Sequence, residues 1–167
     1  MTRLAAGVCV LVLLALPAAA APLAHGVAAE RLVIDKSERT LTVFWHGVPL
    51  KVYRVALGGD PVGAKQRQGD ERTPEGSYVV AQRHDDSEFH RALHLSYPNA
   101  EDRARARAER VNPGGNIEIH GLRDGFHWVG SAHTLFDWTN GCIAVTDLEI
   151  EELFRAAPNG TPVEIRP

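Results

Sequence analysis

The sequence predicts a mainly β domain carrying two short helices. Short apolar runs alternate with a period of two, turn-forming residues separate them, and only two stretches carry helix-start signals. Residues 31–34 and 41–45 read as strands around a turn at 35–39, with Val33, Leu41, Val43 and Trp45 at alternating spacing. The alternation continues from Val48 to Leu57. Gly58 to Gly76 then holds five glycines and two prolines. This is a long connection of the kind that is often functional in compact domains. Residues 77–82 and 92–97 are further strands. Asn99 caps a helix through Ala108, with Asp102 in its first turn. Residues 116–120 alternate cleanly. Asp147 starts a second helix, which carries Ile150, Leu153 and Phe154 on one face and stops near Pro158-Asn159-Gly160. Val163 and Ile165 close the chain with a strand. The total is seven or eight short strands, with no repeat and no internal linker.

The N-terminus differs in kind. Arg3 precedes an apolar run of 13 residues, Leu4 to Leu16. Pro17 and Ala18-Ala19-Ala20 follow, the pattern of a cleaved secretory signal over residues 1–21, with a second possible cut after Ala29. The run is too short for a permanent membrane span. Export to a periplasm or cell-wall compartment follows, with residues 31–166 as one catalytic-sized domain. The formal net charge is −3, and loss of Arg3 with the leader makes it −4. That balance argues against a nucleic-acid partner, which calls for a basic field.

Of the two cysteines, Cys9 leaves with the leader and Cys142 remains without a disulfide partner in the chain. A thiol attacks as thiolate and is mostly protonated at neutral pH, so a reactive one needs a base, most often histidine. His120 ends a strand and is followed by Gly121. Cys142 follows Gly141, whose small size lets the backbone approach a substrate carbonyl. Backbone N–H groups around Gly141 to Ile143 are candidate oxyanion donors. A zinc site from His120, His133 and Cys142 is the competing reading, but its spacing matches no compact ligand pair. No metal and no cofactor is therefore expected. By residue chemistry alone, Thr73-Pro74-Glu75-Gly76 is a turn, Trp138 a packing residue, and Asp137 a turn cap or a histidine partner. His133 is an accessory acid or a structural histidine.

The segments Ile119-His120-Gly121 and Asp137-Trp138-Thr139-Asn140-Gly141-Cys142-Ile143-Ala144-Val145 resemble the signature of L,D-transpeptidase catalytic (YkuD-type) domains, most of all the YafK-like branch. The likeness includes Gly69 to Tyr78 and Ser96 to Ala104, and so spans about residues 31–166. It implies a β-sandwich-like fold that acts on peptidoglycan stem peptides through a thioester, with Cys142 as nucleophile and His120 as general base. The Gly121 carbonyl would orient the histidine ring, and an acceptor amine would complete the transfer. Thr139 and Asn140 precede the Gly-Cys pair where most of the family has a serine or threonine and then a histidine or glycine, and Ala144 stands where most have an arginine. Arg72, Arg123 and His133 are the candidate replacements, and Glu75 a candidate cleft residue. The alternatives are hydrolysis of the same bonds, a non-catalytic wall-binding module, and a redox sensor without a resolving cysteine.

Overall fold

Among the described residues, eight strands form one sheet in the order β3-β2-β1-β8-β4-β5-β6-β7. They are β1 (Arg31–Asp35), β2 (Thr40–Trp45), β3 (Val48–Arg54), β4 (Gly76–Ser87), β5 (His90–Leu95), β6 (Glu118–His120), β7 (Ile143–Ala144) and β8 (Pro162–Arg166). The computed structural model describes residues 21–167, so the expected leader lies, apart from Ala21, outside the described residues. Two pairings are parallel, β1 with β8 and β6 with β7; the others are antiparallel.

The sheet is curled, and its two ends meet. Just beyond β3, Ala56 forms an antiparallel bridge with Ala144, and Gly58 bridges Thr139. The Ala56 and Ala144 amides each donate to the other residue's carbonyl, at 3.0 and 2.9 Å. Asp137 locks this closure. One carboxylate oxygen accepts from the Leu57 amide at 2.9 Å, and the other from Arg39 at 3.0 and 3.2 Å. Asp137 thus ties the two ends of the sheet together and orients no histidine.

Two α-helices sit where the capping signals put them. α1 (Ala100–Glu109) has Asn99 as N-cap in a reciprocal capping box with Asp102. α2 (Asp147–Ala156) has Thr146 and Glu149 in the same roles. α2 bridges the two limbs of the curl. Its Glu152 accepts from Tyr53 and Lys51 of β3 at 2.8 and 2.6 Å, while its Phe154 ring lies under the guanidinium groups of Arg83 (β4) and Arg91 (β5). Ile150 and Leu153 join Leu32, Leu41, Leu93 and Ile119 in one buried core.

Three features depart from the sequence reading. A 3₁₀ segment, His127–Leu135, adds a third helical element; it is broken at Gly130 (φ 51°) and has no side-chain cap, which removes the signals that announce a helix. β7 is only two residues long, below any readable period. β3 is an edge strand, which leaves Val48, Leu50 and Val52 exposed and turns Tyr53 inward.

Because Asp137 holds a buried amide and a cation at once, Asp137→Ala is expected to destabilise the fold by about 2 kcal/mol. Urea unfolding followed by circular dichroism measures it, with Asp137→Asn retaining part of the loss-free behaviour through its remaining acceptor.

Candidate active site

The register of the last three strands decides which side chains share a face. His94 pairs with Glu118, Ala92 with His120, and His120 with Ala144. Side chains alternate across a sheet, so Leu93, Ile119 and Ile143 point into the core. Glu118 and His120 point to the opposite face. The parallel register, continued one residue back from Ile143, places Cys142 beside Glu118 on that same face. His120 and Cys142 thereby line one cleft of about 690 Å³. Asn140, Thr139, Trp138, Phe89, Glu71 and Lys65 share it.

The turn that delivers Cys142 is built by Thr139 and Gly141. The buried Thr139 hydroxyl donates to the Cys142 carbonyl at 2.7 Å and accepts from the Gly141 amide at 3.1 Å. Gly141 has φ 120°, and a Cβ there would lie 2.6 Å from the Arg72 carbonyl oxygen. Only glycine fits such a position without strain. Its amide is spent inside the turn and the Ile143 amide belongs to the β6–β7 ladder, which leaves Cys142, of the three amides considered from sequence, as the remaining oxyanion candidate.

His120 is buried, and its Nδ1 lies 2.7 Å from the Gly121 carbonyl. A carbonyl oxygen only accepts, so Nδ1 carries the hydrogen and Nε2 keeps its lone pair. Gly121 is itself fixed: its amide donates to the Arg91 carbonyl, and a Cβ would lie 2.8 Å from Asp147 Oδ1. Asp147 also accepts from the Leu122 amide at 2.8 Å. Phe89 packs against the His120 ring at 4.4 Å with the planes tilted by 41°, and Trp138 meets it edge-on at 5.9 Å. Trp138 is thus a packing residue that also lines the cleft.

Burial sets the charge state of both groups. It pulls His120 down to about 4, an effect that the Gly121 carbonyl opposes and His133 reinforces. It pushes the Cys142 thiol up to about 11, with the Glu118 amide and Lys65 acting the other way. At neutral pH the cleft therefore holds a thiol and a neutral imidazole, not an ion pair. The thiol hydrogen points to the Asn116 carbonyl, with sulfur and oxygen 3.4 Å apart.

The other residues singled out from sequence lie elsewhere. Arg72 pairs with Asp60 at 2.9 Å, and Glu75 with Lys36 at 2.7 Å. Arg123 is exposed, 4.0 Å from Glu88. His133 is buried with neither ring nitrogen hydrogen-bonded, beside a separate apolar pocket of about 290 Å³ that Arg123 also lines. The cation in the cleft is Lys65, which sequence reasoning passed over. It is held at 2.7 Å by Asp70. Burial alone would raise the Asp70 carboxyl, but Lys65 and the amides of Arg67, Gln66 and Arg72 hold it at about 2. This one carboxylate organises the glycine-rich connection predicted as functional.

A curled β-sheet with a Gly-Cys turn beside a strand-borne histidine defines the class of domain. The sequence model of the L,D-transpeptidase catalytic domain (YkuD) family matches residues 29–165, and the chain belongs to that family. It is 33% identical over 129 residues to YafK of Escherichia coli strain K12, whose name designates an L,D-transpeptidase; the match covers 73% of this chain and 44% of YafK. The chain therefore spans less than half the length of the curated relatives it matches. Among solved structures, Bdellovibrio bacteriovorus Bd1075 superimposes with TM-score 0.61 at 24% identity, covering 87% of this chain and 50% of that one. Campylobacter jejuni Pgp2, titled a helical cell shape determining protein, gives 0.59 at 21% identity over 81% of this chain and 46% of its own. An L,D-transpeptidase from Xylanimonas cellulosilytica gives 0.54 at 17%, over 87% and 64%. At these identities the structures share the fold.

Two outcomes test the site's construction. A histidine held down to about 4 resists protonation when folded, while the unfolded chain takes up that proton near 6.5. The resulting stability is present above pH 6.5 and is lost as pH falls through 4, amounting to about 3 kcal/mol. Denaturant unfolding of His120→Asn is expected to lose that much less than the parent between pH 7 and 4. Gly141→Ala is expected to slow Cys142 alkylation or unfold the turn, read by labelling rate together with thermal melting; a variant matching the parent in both contradicts the tight-turn geometry.

Proposed function

We propose that the domain is a cysteine acyl-transfer enzyme acting on peptidoglycan stem peptides. The observation that carries this reading is a thiol and a histidine with a free Nε2 facing the same cleft. Cys142 attacks the donor carbonyl while His120 Nε2 takes its proton, giving a tetrahedral intermediate that collapses to a thioester. The leaving amine takes the proton from His120. An acceptor amine then attacks the thioester, His120 receives the amine's proton and passes it to the departing sulfur, and the new amide and the thiol are released. Gly121 holds the ring through its carbonyl. The Cys142 amide, with the cleft-lining Asn140, is proposed to stabilise the oxyanion. Lys65 supplies positive charge near the sulfur, the role for which Arg72, Arg123 and His133 were candidates.

A neutral pair makes deprotonation part of attack instead of a prior step. That suits an enzyme whose thiol must stay unreactive until substrate fills the cleft. Hydrolysis shares the acylation half and differs only in water replacing the amine; Ala144, buried in the sheet closure, stands where an arginine is usual and keeps that reading open. The leader over residues 1–21 would carry the domain to the periplasm or cell-wall compartment where such stems occur.

The deciding experiment is intact mass measurement of the mature protein after incubation with purified tetrapeptide-stem muropeptides. An adduct on Cys142 that is lost in Cys142→Ala, and reduced at least 100-fold in rate in His120→Ala, is expected. Absence of any adduct with retained muropeptide binding would identify a wall-binding module. Products then separate the two reactions, since cross-linked dimers report transfer and shortened stems report hydrolysis. Without substrate, iodoacetamide labelling of Cys142 should keep rising from pH 6 to 9. A plateau near pH 7 would mean a preformed thiolate.

A further inference from the structure

The sheet face that carries His120 and Cys142 continues away from them into a second group of side chains. His84 on β4, His94 on β5 and Glu118 on β6 stand on three adjacent strands. Gln82 pairs with His94, and His94 with Glu118. His84, two residues from Gln82, therefore shares their face. The register of β4 shifts immediately after His84, a bulge of the kind that re-aims a side chain.

The three offer one ligand atom each, and these atoms lie within 4.8 Å of one another. His84 Nε2 is 3.8 Å and His94 Nδ1 3.6 Å from Glu118 Oε1. Both distances exceed hydrogen-bond length, so neither imidazole saturates the carboxylate. They are close to the separation of about 3.4 Å that two ligands adopt around a tetrahedral zinc with bonds near 2.1 Å. The two rings stand edge to face, with centroids 6.1 Å apart at 89°. Side-chain exposures of 35%, 24% and 19% leave the group open to an ion while its backbone stays fixed in the sheet.

From this geometry we propose that His84, His94 and Glu118 form a binding site for a divalent transition-metal ion of the zinc class. Two imidazoles and one carboxylate are the donors that such ions accept, and the net charge of one carboxylate favours a dication. Three protein ligands leave a position for water on the cleft side, because Glu118 lines the cleft as well. The site borders the acyl-transfer cleft through Glu118, but the proposal does not rest on that chemistry. Its residues differ from the His120, His133 and Cys142 set considered from sequence.

The test uses the tag-free mature chain and Zn²⁺ alone, followed by isothermal titration calorimetry, with Co²⁺ as a spectroscopic probe. One Zn²⁺ per chain is expected, with binding unchanged in Cys142→Ser. Binding should weaken at least tenfold in each of His84→Gln and Glu118→Gln. Co²⁺ should give d–d bands without a sulfur charge-transfer band. Circular dichroism in metal-free buffer establishes that each variant is folded, and His84→Gln, the most exposed of the three positions, serves if Glu118→Gln is not. Absence of stoichiometric binding overturns the proposal. So does binding that survives both substitutions, or that disappears in Cys142→Ser, which would place the ion on the thiol.

Discussion

The parallel pairing of β7 with β6 is the contact on which the site depends. It spans two residue pairs, Ile119 with Ile143 and His120 with Ala144. A one-residue slip would turn Cys142 into the core and Ile143 out to solvent. Such a short strand cannot hold its register alone. Thr139 fixes the turn before it, Ala56 pairs with its outer edge, and the Val145 amide donates to the His120 carbonyl at 2.9 Å. The register is therefore enforced from both flanks of β7 and from its outer edge, the last by a distant part of the chain.

The same contact explains why the sheet must curl. Ala144 has β6 on one side and Ala56 on the other, so the segment after β3 has to travel round to reach it. Asp137 and Arg39 close that circuit, and α2 fills the hollow between the limbs. Burial follows from closure, and the charge states of His120 and Cys142 follow from burial. The chemistry of the cleft is in this sense set by the topology, several residues removed from either side chain.

Much of this was legible in the sequence. Alternation marked β1, β2, β3 and β6, and the Asn99–Asp102 capping signal placed α1 to within a residue. His120, Gly121 and Cys142 stood out because the expected leader would take Cys9 with it and because the family motif surrounds them. What was hidden depends on long-range geometry. β7 is too short to show a period, and the 3₁₀ segment lacks caps. Lys65 carries no motif, and its place in the cleft is fixed by Asp70, five residues on. Arg72 and Arg123 are cations like Lys65, yet they lie in loops that turn them to Asp60 and Glu88. His84, His94 and Glu118 are separated by nine and twenty-three residues, and only strand pairing brings them together.

The fold presents a neutral imidazole, with its lone pair on Nε2, to a protonated thiol. Nitrogen-15 NMR of the histidine-labelled protein measures this directly at His120. The expected spectrum shows a protonated Nδ1 and a bare Nε2 at pH 7, with no imidazolium until the pH approaches 4. An imidazolium at pH 7 that reverts to neutral in Cys142→Ala would contradict it, because the cleft would then hold a preformed ion pair.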